Sequence, residues 1–186
     1  VGSVGAERTA GPDSDDVDPE SVRSLPAIVA VTAVVVVLDQ LTKWWALEAL
    51  TQPSRIVDLV WTLRLRVIYN TGTAFSLTSD SGPIVSVIAL AVVAFLLWSG
   101  RSQRSPWVLA AYGLVVGGTL GNLVDRLFRD GNDGFLGGAV VDFVDLQWFP
   151  VFNLADAALT IGIALLLVVG LFTDALDDAA EGETGT

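Results

Sequence analysis

Four apolar stretches constrain this chain more than any other feature: residues 25–47, 83–99, 106–127 and 154–173. About 20 apolar residues in a helix cross the hydrocarbon core of a bilayer. The four stretches are 17 to 23 residues long, and runs within them such as LPAIVAVTAVVVVL and LTIGIALLLVVGLF lack the alternation of a barrel strand. Valine-rich segments suit strands in water, but lipid accepts only helices or closed barrels, so these runs read as helices. Pro106 fits the first turn of the third helix. No small-residue cleavage pattern follows the first apolar run, so it reads as a retained span and not a secretory leader. Apolar residues make up 52% of the chain and charged residues only 17%. A soluble domain carries roughly a quarter charged residues, so this chain has too little polar surface for water. The expectation is an all-α membrane protein with four transmembrane helices.

The net charge of −11 belongs to the ends. Residues 1–24 hold six acids and two arginines, and residues 174–186 hold five acids and no base. These segments account for nine of the eleven excess negative charges and read as disordered tails. The expected organisation is therefore a tail at 1–24, a membrane domain at 25–173 and a second tail at 174–186. An acidic chain of this kind is no nucleic-acid binder. Cysteine and histidine are both absent. Disulfides, thiolate sites, Ser-His-Asp triads and histidine zinc motifs are excluded, and no metal or cofactor motif is recognisable. A hydrolase built from this alphabet must use carboxylates, or a serine with a lysine.

An even number of spans puts both termini on one side. The short loop at 100–105 contains Arg101 and Arg104, which place it and the termini in the cytoplasm. Arg55, Arg64 and Arg66 in the opposite loop work against that bias. The larger loops, 48–82 and 128–151, then lie outside. Residues 58–68 (DLVWTLRLRVI) alternate apolar and polar and read as strand, so a small sheet can lie at the outer surface.

Ionisable groups near membrane spans are costly and mark function by default. They collect at the outer helix ends: Asp39 and Lys43 on span one, Asp125 and Arg126 on span three, Asn153 and Asp156 at the start of span four. Asn70 and Asp142 lie in the outer loops. Asp39 and Lys43 are four apart, so they can simply pair on one helix face. Gly117, Gly118, Gly121 and Asn122 suit close helix packing with a polar group as glue. Asn153 suits a helix N-cap and Asp156 a favourable acid in a first turn. Asp142 and Asp156 differ from the other acids. Neither has a base within four positions, and both have apolar neighbours. Two such carboxylates brought together would share a proton, the arrangement by which aspartic proteases activate water. They are fourteen apart with Pro150 between, so the third loop must fold back on span four for them to meet.

The motifs LDQLTKWW (38–45), YNTGTAFS (69–76), GGTLGNLVDRL (117–127), VVDF (140–143) and FNLADAALTIG (152–162) resemble those of the lipoprotein signal peptidases, or signal peptidase II. The resemblance covers about residues 25–173 and rests on five motifs in order. It implies a bacterial cytoplasmic-membrane aspartic endopeptidase of four helices with a small extracytoplasmic β-cradle. That enzyme cleaves a prolipoprotein just before its diacylglyceryl-modified cysteine. It implies Asp142 and Asp156 as the catalytic pair, and Asp39, Lys43, Asn70, Gly118, Asn122, Arg126 and Asn153 as substrate-binding positions, with Asp125 a structural carboxylate. Membrane lipid and globomycin-type lipopeptide inhibitors are the further implied partners, with no cofactor and a monomeric enzyme. Residues 128–139 (FRDGNDGFLGGA) look longer than the family pattern. Two rivals stand beside this reading: a Ser-Lys protease using Lys43 with Ser76, and a small transporter or scaffold without hydrolytic activity.

Overall fold

The computed structural model describes residues 21–51, 55–72, 81–131 and 135–184. Ser76 lies outside them. Four helices, α1 (Ser21–Leu50), α2 (Ser81–Gly100), α3 (Pro106–Phe128) and α4 (Leu154–Thr184), carry a three-stranded antiparallel sheet of β1 (Val57–Val60), β2 (Leu63–Asn70) and β3 (Val140–Asp145). Three helical stretches among the described residues are long and apolar enough to cross a membrane: Ser24–Leu50, Pro106–Phe128 and Leu154–Phe172. The described apolar part of α2, Ser86–Gly100, is shorter. Large apolar side chains such as Val34, Phe95, Leu167 and Leu171 face outward on α1, α2 and α4. An aqueous protein would bury them, so this is a membrane-embedded fold.

The helix α3 is central and packs most extensively on α1 and α4. Its glycines explain how. Gly113, Gly117 and Gly121 recur every four residues and so line one face. Opposite them stand Val31, Val35 and Asp39 of α1, also four apart. A Cβ at Gly117 would fall 2.7 Å from the Val35 Cβ. The helices can approach this closely only because the side chain is missing. Lipid supplies no hydrophobic push between helices, so close packing of this kind takes its place.

Near the other end, Ser24 Oγ donates to the Arg101 carbonyl at 3.2 Å, joining the start of α1 to the α2–α3 turn. Pro106 follows the N-cap Ser105 and begins α3 as expected. The sheet sits at the opposite end, where Ala46 and Leu50 of α1 pack on Phe143. Residues 58–68, expected as one strand, instead form a hairpin. The chain reverses at Trp61, whose φ is 50°, and β1 pairs with β2. Alternation survives a tight reversal, and Trp61-Thr62 lacks the Asn or Gly that normally announces one. The acidic ends also differ from expectation. The backbone is helical from Ser21 and through Thr184, where disorder was expected up to 24 and from 174. Ala175, Ala179 and Ala180 extend a helix already nucleated in the apolar segment, which needs no new nucleus.

If α1 and α3 are held by this glycine face, Gly117→Leu should destabilise the folded protein by about 1–3 kcal/mol through overpacking. Its thermal midpoint in detergent should fall by several degrees, whereas Gly170→Leu, on an open face, should leave it unchanged.

Candidate active site

The third loop does fold back. After β3 the chain turns at Gln147, whose N–H donates to Asp145 Oδ1 at 2.7 Å, and returns to pair Phe152 with Val144. The Phe152 N–H donates to the Val144 carbonyl at 3.0 Å, and the Val144 N–H to the Phe152 carbonyl at 2.9 Å. This return sets Asn153 beside Asp142 and starts α4 there. The glycine-rich segment before β3 reaches the same place over the end of α3. Gly138 donates its N–H to the Arg126 carbonyl, and a Cβ there would fall 2.5–2.8 Å from three α3-terminal carbonyls.

Asn153 is the central residue of the constellation. Its Oδ1 accepts from the Asp156 N–H at 3.0 Å while Asp156 Oδ2 accepts from the Asn153 N–H at 3.1 Å, a reciprocal cap on α4. Its Nδ2 donates to Asp142 Oδ1 at 2.7 Å and to Asn122 Oδ1 at 3.0 Å. Asn153 therefore caps α4 as expected and also bonds to Asp142. Asn122 Nδ2 donates to Asp156 Oδ1 at 2.7 Å, and Asn70 Nδ2 to Asp142 Oδ2 at 3.0 Å. Each of the four carboxylate oxygens thus receives a neutral amide. Among the described residues, neither acid is in a salt bridge. Arg126, half-buried, donates to the Gly138 carbonyl and stands near enough to Asp142 for their charges to interact.

The same strand carries a contrasting acid. Asp145 is also buried, which opposes its charge, yet Arg64, the Gln147 N–H and Arg66 outweigh this and hold it down to about 2. Asp142 is pushed from an ordinary 3.8 up to about 6 by burial first and then by the charge of Asp156, against the pull of its amide donors. Ion pairing and its absence separate two carboxylates three residues apart.

Behind the amides lies a charged cluster. Lys43 Nζ is completely buried and contacts Asp39 Oδ2 at 2.8 Å, Asp125 Oδ2 at 2.9 Å and Asn122 Oδ1 at 2.9 Å. The expected Asp39–Lys43 pairing is present. As substrate contacts, however, these two residues sit behind the surface and not on it, because both are 0% exposed. Gly118 is likewise a packing position: a Cβ there would collide with the Ala155 carbonyl of α4. Sequence reading missed Gln40, whose Nε2 lies within hydrogen-bond distance of Asp39 Oδ2 and Asp125 Oδ1, and Arg129, which donates to Asp125 Oδ1 at 2.7 Å. The four-residue spacing from Asp125 to Arg129 was the available signal. Asp145 was missed too, since its partners lie across the sheet.

Residues 31–172 match the family model of signal peptidase (SPase) II. The chain belongs to the signal peptidase II family. It is 39% identical over 168 residues to the lipoprotein signal peptidase of Mycolicibacterium smegmatis, covering 88% of this chain and 69% of that one. The Mycobacterium avium lipoprotein signal peptidase is 40% identical over 154 residues, 81% of each chain. A solved structure described as a bacterial membrane enzyme superposes with a TM-score of 0.65 at 25% identity, covering 78% of this chain and 93% of that one. The site lies within the part matched to signal peptidase II, and all nine positions singled out by the family motifs fall in it or directly behind it.

The raised Asp142 has a stability consequence. Between pH 4 and 7 the folded state binds more protons at this carboxyl than the unfolded chain, so stability falls as pH rises. Asn mimics the protonated acid without titrating. The stability advantage of Asp142→Asn over wild type should therefore grow between pH 4 and 7.5, by on the order of 2–3 kcal/mol. Thermal midpoints of the two proteins that run parallel across this range would contradict the raised carboxyl.

Proposed function

We propose that this signal peptidase II is an aspartic endopeptidase in which Asp142 and Asp156 share one proton and activate a water. The observation that carries the reading is the donor set. All four oxygens receive neutral amides, and Lys43 is held one residue away from Asp156, behind Asn122. A direct ion pair would pin a carboxylate in its charged form. Amide donors fix geometry and leave the proton count free. One aspartate, ionised, takes a proton from water; the other, protonated, donates to the scissile carbonyl as the water attacks. The tetrahedral intermediate collapses as the first aspartate passes its proton to the departing amide nitrogen and the second takes one back from a hydroxyl of the intermediate, which restores the shared proton. The pair titrates as a unit, so the two roles belong to the dyad.

The substrate is a diacylglyceryl-modified prolipoprotein, cut just before the lipidated cysteine. Its acyl chains stay in the bilayer beside the exposed apolar faces of the helices, and its cleavage site rises to the end of the bundle. Each methylene kept out of water is worth about 0.8 kcal/mol, so two chains anchor the substrate in the bilayer and hold its cleavage site at the level of the dyad. Asn70, Asn122, Arg126 and Asn153 hold the peptide backbone at the dyad. A globomycin-type lipopeptide competes by presenting a hydroxyl between the aspartates. All four helices span, both termini are cytoplasmic, the sheet and site are extracytoplasmic, and the enzyme works as a monomer.

The Ser-Lys reading loses its base. Lys43 is buried with three oxygen partners and offers no lone pair toward solvent. The transporter reading needs polar groups along a spanning line, whereas here they gather at one end of the bundle.

Asp142→Asn and Asp156→Asn should each lower cleavage of a diacylglyceryl-modified precursor by more than about 10³-fold, roughly 4 kcal/mol in barrier. The double variant should be no worse than either single one, since half a dyad does nothing alone. The unlipidated precursor should be a very poor substrate. Substantial turnover by either purified variant would remove that aspartate from the mechanism. Equal cleavage of lipidated and unlipidated precursor would reject the substrate assignment.

A further inference from the structure

Lys43 has no place in the chemistry just described, yet it is among the most deeply buried polar groups of the chain. Its surroundings form a closed set. Lys43 joins Asp39 and Asp125; Arg129 meets the second oxygen of Asp125; Gln40 links both acids. Two anions and two cations balance. The arms of this cluster end in a consistent way. Asp39 Oδ1 accepts from the N–H of Ala155 at 3.0 Å, one residue before Asp156. Asp125 Oδ2 accepts from the N–H of Val141 at 3.1 Å, one residue before Asp142. The third contact of Lys43 is Asn122, which holds Asp156 itself and accepts from Asn153, the residue bonded to both aspartates. Three arms from one ammonium therefore reach α4, β3 and the amide layer.

We propose that Lys43, with Asp39 and Asp125, is a positioning device that fixes the mutual placement of Asp142 and Asp156, and that it does not contact substrate. The proposal rests on the dyad reading. α1 contributes no reacting group, but it presents the one cation against which the strand and the helix bearing the two acids are both registered. Bringing three separate elements to a single point is what a dyad needs, because a shift of about 1 Å between reacting groups costs on the order of 10²-fold in rate. A fold-holding salt bridge alone has no reason to end beside each catalytic position. The hydrogen bond from Lys43 also fixes which atom of Asn122 faces which partner. With Oδ1 held by the ammonium, Nδ2 must turn to Asp156.

Removing Lys43 alone would strand the buried Asp39 carboxylate and threaten folding. The charge-balanced double variant Lys43→Met/Asp39→Asn avoids this. The amide introduced at position 39 keeps an acceptor for the Ala155 N–H, and Asp125 keeps Arg129. The test measures kcat and KM on a lipidated precursor, with the thermal midpoint, for wild type, this double variant, Asp39→Asn alone, Asp142→Asn and Asp156→Asn. The expected result is a folded double variant with kcat lowered about 10²-fold and KM within about twofold. Asp39→Asn should fold and lose about tenfold in kcat, which keeps the test decisive if the double variant does not fold. Wild-type kcat in a folded double variant, or in Asp39→Asn, overturns the positioning role. A rise in KM with kcat unchanged overturns it too, and returns Lys43 to the substrate. Activity retained in Asp142→Asn or Asp156→Asn is a different failure, that of the dyad.

Discussion

An ammonium group withdrawn from water between helices costs several kcal/mol unless counter-charges and hydrogen bonds surround it. Lys43 meets that condition at a single point, where α1, α3 and the start of α4 converge. The rest of the structure follows from reaching it. The glycine face of α3 brings Asp39 within contact of Gly121, where a Cβ would stand 2.7 Å from the carboxylate oxygen. Gly118 lets α4 approach from the other side. Any side chain at these positions would push the helices apart and leave the charge cluster open. Packing by small residues and neutralisation of a buried charge are thus one constraint seen from two directions.

The same logic separates the roles of the acids. Asp39, Asp125 and Asp145 each have a cation and serve the fold. Asp142 and Asp156 have amides instead, supplied by three asparagine side chains and one backbone N–H. Amides satisfy the hydrogen-bonding demand of a buried carboxylate without settling its charge. Burial and mutual repulsion then act unopposed by a direct counter-ion, and Asp142 rises to about 6 while its strand neighbour Asp145 drops to about 2. That difference between the two carboxylates follows from partner type and not from depth, since both acids are buried.

Much of this was legible in the sequence. Apolar runs announced the helices, and the lack of a nearby base singled out Asp142 and Asp156. What could not be read were relations between distant elements. The hairpin reversal at Trp61 is invisible to an alternation that continues across it. Gln40 carries no charge and sits between two louder residues, so nothing marks it as the link between Asp39 and Asp125. The return of Phe152 to Val144, which closes the segment between them into a turn, is a backbone pairing with no side-chain signature. The family motifs singled out Lys43 as a substrate-binding position and left its depth unstated; the packing of α1 on α3 shows that it lies behind the amides and not in front of them.

In the proposed mechanism two aspartates work with one proton between them. The pH dependence of kcat/KM on a lipidated precursor tests it most directly, because it reports the ionisations of the free enzyme. A shared proton predicts a bell, rising as the first proton leaves the pair and falling, with a limb near or above pH 6, as the second is lost. Asp142 is the group that burial and Asp156 push to that range. A profile that instead climbs through a single ionisation and stays flat to pH 9 would mean that both carboxylates act ionised, or that neither is the base, and would contradict the account.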